Sequence, residues 1–397
     1  MRLAVITDQP FWFDGTRYTT NATFINFVLS FKACVDKMML IAPLSITKEC
    51  RGNFVVGLED ERVELVPMPF FKNSTEMYYR FHALAGPIWR LFKSNLKNWD
   101  LAWIVGMHLP QLMFYRMANN GSRKLFFYIR SNIAKETESQ GYRGIKGVCA
   151  RMLSGFLASQ LLRASQSTPF FVVGDELFEM YSGPSKRVYK VYPTLVYEKD
   201  IVTGVRPRGP GPTVLLCVGR LTPEKNLEVL VEAMDLLRRQ GDGDFVCWLA
   251  GSGKEAAPLR ALISQKGLDA YFDFKGYVPH GPDLFALYDA AHIYVSPSRT
   301  EGLPKTFYEA MARGLPIIST RVGGIPEIVA DGENGLLVPP GDPQSLAAAI
   351  KRLTSDSGLR ESLSWGSINK VRDFTLEKQR DRMFHILKDE ILGRGRV

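Results

Sequence analysis

The sequence predicts an α/β protein built from two doubly wound parallel-sheet domains, and three observations carry that prediction. A length of 397 residues asks for two or three cores at about 100–200 residues each. Short β-branched apolar runs alternate with longer amphipathic stretches throughout, as in layered α/β folds. Near the middle, residues 203–212 read TGVRPRGPGP, with three prolines and three glycines in ten residues, which neither a helix nor a central strand accommodates. The expected organisation is a first domain over 1–202, a linker over 203–212, a second domain over 213–374 and a terminal helix over 375–397 that packs back on the first domain.

In the first domain the runs at 3–7, 38–42, 63–67, 101–105, 125–130, 170–173 and 188–191 read as strands. In the second they lie at 214–218, 245–250, 272–274, 293–296, 316–319 and 336–338. Helical spacing fills the gaps: Leu227, Val229, Leu230, Ala233, Met234 and Leu237 hold a 3.6-residue period. The last periodic stretch, 376–392, is amphipathic and reads as the terminal helix. No internal repeat of about 20–50 residues interrupts this pattern.

Composition narrows the class. A hydrophobic content of 46% excludes a disordered chain. No apolar run approaches the roughly 18 residues of a bilayer span, and the run at 3–7 is too short for a secretory signal. The expectation is a cytoplasmic protein, peripheral at most on the cytoplasmic face of a membrane. The five cysteines, Cys34, Cys50, Cys149, Cys217 and Cys247, are odd in number and widely spaced, which points to reduced core thiols and fits no zinc site. Charge is uneven: residues 1–200 hold 25 Lys+Arg against 17 Asp+Glu, and the remainder 25 against 24. An anionic partner drawn by the overall field meets the first half.

The second half carries the motifs. Its first strand ends in Cys217-Val218-Gly219-Arg220, and Leu221-Thr222-Pro223-Glu224-Lys225-Asn226 leads into a helix. Ligands of open parallel sheets bind outside the carboxyl ends of the strands, so Arg220 and Lys225 sit where a diphosphate would need cations. The alternative for Lys225 is a solvated residue at a helix start, where the dipole disfavours it. The strand at 293–296 runs into Pro297-Ser298-Arg299-Thr300-Glu301-Gly302-Leu303-Pro304-Lys305-Thr306-Phe307-Tyr308-Glu309. Pro304 suits the first helical position, which puts Glu301 in the preceding loop and Glu309 inside the helix. Helix-start amides with Lys305 and Thr306 would face an anion, and the two glutamates could accept hydrogen bonds from sugar and ribose hydroxyls. The alternatives are a helix cap for Glu301 and a salt-bridge partner for Glu309.

In combination these segments, with Tyr288-Asp289-Ala290-Ala291, Val322-Gly323-Gly324-Ile325-Pro326-Glu327 and Asn334-Gly335-Leu336-Leu337-Val338, closely resemble glycosyltransferase family 4, the glycosyl transferases group 1, over about residues 213–353. The resemblance implies the GT-B fold: two Rossmann-like domains facing across a cleft, with a C-terminal helix crossing back to the first. It implies a retaining, hexosyltransferase-type enzyme that takes a nucleotide-diphosphate-sugar, a UDP- or GDP-sugar, and needs neither metal nor permanent cofactor. Arg220 and Lys225 match the cations on the donor diphosphate, with Gly219 beside them. Glu301 matches the contact to the donor sugar, with Gly302, Leu303, Pro304, Lys305 and Thr306 around it. Glu309 matches the ribose contact, and Val278 the backbone position at the nucleobase. In such enzymes the departing phosphate helps deprotonate the acceptor on the same face, so no carboxylate nucleophile is expected.

Competing motifs fail. Gly251-Ser252-Gly253-Lys254-Glu255 has the look of a phosphate loop, but position 248 is Trp where a glycine belongs and Glu255 stands in place of Ser or Thr. Asp242-Gly243-Asp244 has the spacing of a metal-binding pair, yet it lies between a helix and a strand on the side of the sheet away from the crevice and reads as a turn.

The first half reads as the acceptor side. Where the family has a Gly-Gly loop, this chain has Asp8-Gln9-Pro10-Phe11-Trp12-Phe13-Asp14-Gly15-Thr16-Arg17-Tyr18, so Gly15 is the candidate for the donor contact and Arg17 for the acceptor. His108 stands about where the family often has a histidine near the sugar's C6 hydroxyl, and a structural, hydrogen-bonded histidine is the alternative. Arg130 and Asn132, at the end of the next strand, are further acceptor candidates. Between Arg80 and Arg151 there are twelve Lys+Arg and three Asp+Glu, interleaved with Trp89, Leu91, Phe92, Leu96, Trp99, Met152 and Leu153. Such a face suits an anionic membrane surface, each nearby cation contributing on the order of 1 kcal/mol; the alternatives are an anionic polysaccharide and a solvated face over ordinary core packing, and no nucleic-acid motif accompanies it.

The expected partners are a nucleotide sugar and a saccharide or lipid-linked saccharide acceptor, in cell-surface polysaccharide or glycoconjugate synthesis. The alternatives are an epimerase-like nucleotide-sugar enzyme of the same fold and a catalytically silent saccharide-binding subunit.

Overall fold

The structure, a computed structural model, describes residues 1–47, 52, 54–58, 60–119, 124–139, 142, 144–183, 187–205, 209, 211–241 and 244–392. They form two units: Met1–Pro193 with Arg380–Val397, and Thr194–Gln379.

The first unit runs β1 (Arg2–Ile6), β2 (Phe11–Phe13), β3 (Tyr18–Thr20), α1 (Ile25–Ser30), β4 (Lys37–Ile46), β5 (Phe54–Val56), β6 (Val63–Met68), α2 (Ser74–Asn95), β7 (Leu101–Val105), α3 (Leu109–Ala118), β8 (Lys124–Ile129), α4 (Ile133–Ser139), α5 (Gly144–Ser165), β9 (Phe170–Val172), α6 (Asp175–Ser182) and β10 (Val188–Lys190). β6, β4, β1, β7, β8, β9 and β10 lie side by side, all parallel. The order reverses between β1 and β7, the switch point of a doubly wound sheet. Alternate residues of the central strands serve two layers. Trp103 and Tyr128 pack on Phe27 of α1, while Ile104 and Phe127 join Ile88, Phe92, Phe114 and Leu157 on the other face.

Three short strands do not appear in the sequence reading. β2 and β3 form an antiparallel hairpin, β2 pairs with the Leu44–Ile46 end of β4, and β5 adds to β3. Each spans three residues, and their pairing depends on β4 running on to Ile46, beyond the 38–42 run that the sequence marks.

The second unit runs β11 (Thr213–Val218), α7 (Leu227–Arg239), β12 (Phe245–Ala250), α8 (Ala256–Gln265), β13 (Phe272–Gly276), α9 (Pro282–Ala290), β14 (Ile293–Ser296), α10 (Lys305–Ala312), β15 (Ile317–Thr320), α11 (Ile325–Ile328), β16 (Gly335–Val338), α12 (Pro343–Ser355), α13 (Ser357–Val371) and α14 (Leu376–Leu392). Its six strands are parallel in the order β13, β12, β11, β14, β15, β16. Here the switch falls between β11 and β14.

The division between the units falls ahead of the breaker-rich stretch. Residues 194–202 already belong to the second unit: the Val202 amide donates to the Ala312 carbonyl at 2.9 Å, and Arg313 Nη1 to the Asp200 carbonyl at 2.8 Å. Proline and glycine mark where regular structure stops, and a segment without regular structure can still pack. In α14 the ranges divide, with Arg380–Val397 counted in the first unit. There Met383 and Leu387 are buried, and Glu390 accepts from Arg187 Nε at 2.8 Å and from the Tyr189 hydroxyl at 2.7 Å.

The expected basic and aromatic face also resolves differently. Phe92 and Trp99 are core residues, whereas Trp89 and Met152 are exposed. Cys217 and Cys247 are buried, but Cys34 is half-buried and Cys149 exposed, so not every thiol is a core residue; Cys50, Asp242 and Gly243 lie outside the described residues. Among the described residues no helix is long and apolar enough to cross a membrane.

Candidate functional site

Sheet order brings together in the second unit what the sequence separates. β11 and β14 are neighbours, so the loops after them, carrying Gly219, Arg220 and Lys225 on one side and Ser298 to Lys305 on the other, meet at the switch point. The Arg299 amide donates to the Glu224 carbonyl at 2.8 Å and ties the two loops together. Lys225 Nζ pairs with Glu301 Oε1, and the Ser298 hydroxyl donates to the same oxygen at 2.8 Å. The Lys225 and Glu301 side chains are 20% and 10% exposed. Glu301 is therefore held by a cation and a hydroxyl, and α10 has no side-chain cap. Arg220 is different: its side chain is 78% exposed, with Nη2 at 3.4 Å from Glu224 Oε1.

Glycines bring the backbones close. A Cβ on Gly323, whose φ is +51°, would lie 1.8 Å from the Glu301 carbonyl oxygen, and one on Gly324 would lie 2.6 Å from that of Gly302. The Gly-Gly turn thus backs the Glu301 loop directly. The Gly251-Ser252-Gly253 segment has a comparable task. A Cβ on Gly253 would fall 2.1 Å from the Leu221 carbonyl oxygen, so these glycines let the loop after β12 pack on the loop after β11.

Pro304 precedes α10 in an extended conformation, so the helix begins at Lys305, one residue later than expected. Thr306 Oγ1 accepts from the Tyr294 hydroxyl at 2.7 Å. Glu309 is buried, and its Oε2 accepts from the Tyr288 hydroxyl at 2.8 Å. His280 Nε2 stands 3.8 Å from Oε1 and is buried with no hydrogen-bond partner. Burial pushes the Glu309 carboxyl up from its ordinary value, partly offset by His280, Tyr288 and Lys305. Val278 lies half-buried in the turn between β13 and α9. Ser298, Tyr288 and His280 were not singled out from the sequence. The first two lie inside the quoted motifs, while no local signal marks His280.

The first unit places Asp8 after β1 and His108 after β7, again at the switch point. His108 Nε2 is 3.3 Å from Asp8 Oδ2, and His108 Nδ1 is 2.5 Å from the Tyr78 hydroxyl. Burial pushes the Tyr78 phenol well up, and its neutral hydroxyl shares a hydrogen bond with Nδ1 whose direction follows the imidazole tautomer, while Nε2 faces the Asp8 carboxylate. Buried Gln111 accepts from the His108 amide and donates to the Val105 carbonyl, both at 3.3 Å, which fixes the loop. Asp8, Tyr78 and Gln111 are additions that only the fold supplies.

The remaining candidates do not join this cluster. Gly15 and Arg17 sit in the β2–β3 turn, where Asp14 Oδ1 accepts from the Thr16 and Arg17 amides at 2.9 Å each and Gly15 takes a φ of +101°. The guanidinium of Arg130 stacks 3.9 Å from the Phe24 ring centroid. Asn132 Oδ1 accepts from the Ala134 amide at 3.1 Å at the start of α4, and its amide group donates to Glu176 at 3.1 Å.

Residues 203–369 match the model of the family described as glycosyl transferases group 1. The putative colanic acid biosynthesis glycosyltransferase WcaL of Salmonella typhimurium is 37% identical over 176 residues, 42% of this chain and 43% of that protein. The amylovoran biosynthesis glycosyltransferase AmsK of Erwinia amylovora is 38% identical over 149 residues, 36% of each. These matches span about two fifths of the relatives' length. Among solved structures, Anabaena Alr3699/HepE in complex with UDP aligns with a TM-score of 0.70 at 17% identity, over 98% of this chain and all of that one.

Proposed function

We propose, from a chain whose residues 203–369 belong to the glycosyl transferases group 1 family and whose two α/β units have the GT-B fold, that the protein is a retaining, hexosyltransferase-type glycosyltransferase. It moves a sugar from a nucleoside-diphosphate-sugar to a saccharide or lipid-linked saccharide in cell-surface polysaccharide or glycoconjugate synthesis. The observation that carries this reading is the Lys225, Glu301 and Ser298 cluster at the β11–β14 switch point.

In this reading Lys225, with Arg220, holds the donor diphosphate and stabilises the charge that grows on it as the bond to the sugar's anomeric carbon breaks. Glu301, held in place by Ser298, accepts from a sugar hydroxyl. Glu309 accepts from the ribose, and the backbone at Val278 meets the base. Gly219, Gly302, Leu303, Pro304, Lys305 and Thr306 line the donor side. The acceptor oxygen bonds to the anomeric carbon on the face the diphosphate leaves, and its proton passes to the departing phosphate oxygen. No metal ion enters this scheme. His108, oriented by Tyr78 and Asp8, addresses the transferred sugar, Gly15 is a further candidate for the donor, and Arg17, Arg130 and Asn132 are outer candidates for the acceptor. The reading puts the protein in the cytoplasm, with the basic first half drawn to an anionic membrane surface.

Thermal shift with a panel of nucleoside diphosphates tests the donor side, and product analysis with the matching sugar nucleotide tests the chemistry. One base should raise the melting temperature, and the product should keep the donor's anomeric configuration. Turnover without an acceptor would instead indicate an epimerase, and nucleotide binding without turnover a silent subunit.

A further inference from the structure

Glu309 lies inside α10 at 3% exposure, and its two oxygens are held differently. Oε2 accepts from the buried Tyr288 hydroxyl at 2.8 Å. Oε1 faces His280 Nε2 at 3.8 Å, too far for a hydrogen bond. That nitrogen is itself buried, with no hydrogen-bond partner among the described residues. A buried polar atom left unpaired costs free energy and calls for an explanation. His280 and Tyr288 flank the carboxyl from one segment, the first just ahead of α9 and the second inside it. The imidazole is braced by Phe285 of α9, whose ring meets it edge to face with centroids 5.5 Å apart.

A carboxylate offers about four acceptor positions. Tyr288 takes one on Oε2, and a donor at His280 Nε2 takes one on Oε1, which leaves one on each oxygen for two adjacent hydroxyls. His280 supplies that donor as its Nε2–H tautomer or as imidazolium. The accounting holds while Glu309 is ionised, since a protonated carboxyl donates at one of its oxygens. Burial opposes ionisation, and His280 leads the groups that offset it.

We propose that His280 is a positioning residue of the donor site: its Nε2–H turns to Glu309 Oε1 and holds the carboxylate in the plane from which both oxygens accept from a ribose cis-diol, so that the site selects ribonucleotides over 2′-deoxyribonucleotides. The proposal rests on the reading of Glu309 as the ribose contact and names the group that makes the contact selective. His280 acts through Glu309 and touches no reacting atom.

The test is calorimetric titration of the full chain with UDP, GDP and ADP, each beside its 2′-deoxy counterpart, with melting curves for every variant. The nucleotide that binds should be preferred over its 2′-deoxy form about 10- to 150-fold. The His280 side chain is 22% exposed, so His280→Leu should fold. It should reduce the preference to about threefold or less while leaving affinity for the 2′-deoxy form within about threefold of the parent. His280→Gln, whose amide can donate to the same oxygen, should retain a preference of at least about fivefold. In a Glu309→Gln background, His280→Leu should change the preference by less than about twofold, because the two residues act as one unit.

A folded His280→Leu protein that keeps the parent's preference overturns the proposal. So does equal weakening of ribo and 2′-deoxy forms in the Leu and Gln variants alike, which is the signature of a packing role, and so does a parent that binds both forms equally. Failure of the donor-site reading looks different: none of the three nucleotides, in either form, binds the parent chain, and the proposal falls with it.

Discussion

Lys225→Ala is the sharpest perturbation of the donor side. In the structure its ammonium shares one oxygen of Glu301 with the Ser298 hydroxyl, in a pair only 20% and 10% exposed. At an effective dielectric constant near 20, unit charges about 4 Å apart attract by about 4 kcal/mol, offset in part by desolvation. A cation that strengthens its contact as the diphosphate departs should thus contribute about 2–4 kcal/mol, or about 30- to 900-fold in kcat/KM. The same substitution leaves Glu301 with Ser298 as its remaining partner and should cost about 1–3 kcal/mol of stability. Lys225→Ala with Glu301→Gln removes that unpaired charge, so it should restore much of the stability without restoring transfer. Initial rates with the donor found by thermal shift, beside melting curves for all three proteins, make the comparison. A Lys225→Ala enzyme that folds and transfers within about threefold of the parent rate would refute the assigned role.

Other outcomes follow from the same contacts. The Glu309 carboxyl titrates above its unfolded value of 4.5 because it is buried, so this site favours folding at acid pH and loses that advantage as pH rises through the folded pKa. The melting temperature of Glu309→Gln minus that of the parent should rise as the pH increases above the unfolded value of 4.5, and a flat difference would contradict it. The same variant should bind nucleotide about 10- to 150-fold more weakly if Glu309 accepts from the ribose. Tyr78→Phe leaves His108 Nδ1 without its hydroxyl partner and should lower the melting temperature of the first unit by about 2–8 °C. It should also lower kcat more than it raises the donor KM, and an unchanged pH profile of kcat would make Tyr78 a packing residue only. Gly302→Ala meets no atom within 4 Å and should change stability by no more than about 0.5 kcal/mol, so lost transfer there reports a ligand close to its backbone. Gly323→Ala drives a Cβ into the Glu301 carbonyl and should cost about 2–4 kcal/mol, seen directly in its melting curve.

Periodicity and breakers located the parallel strands, the pattern of α7 and the terminal helix, whereas the sequence reading marks no range for the 22-residue α2 and α5. The predicted runs at 101–105, 245–250 and 293–296 coincide with β7, β12 and β14, and the stretch 376–392 with α14. The chain motifs singled out Lys225, Glu301 and Glu309 as candidates, because a strand-end loop and the helix after it are local objects with local spacing. The β2–β3 hairpin stayed hidden because its pairing rests on β4 running on to Ile46, and the units divide at Thr194, ahead of the breaker-rich stretch, because breakers report the loss of regular structure and not the loss of packing.

What only the tertiary structure decided is which distant groups meet. Lys225 and Glu301 are 76 positions apart, and His108 lies one hundred residues after Asp8. Both pairs form because the strand order reverses, β11 beside β14 and β1 beside β7. His280 beside Glu309 and Tyr78 on His108 likewise join segments about thirty residues apart in the chain. Local sequence sets strand and helix through backbone sterics and one-residue-deep patterns of burial. The neighbours of a side chain depend instead on sheet order and on close approaches such as Gly323 against Glu301, and these are settled only when the whole unit packs.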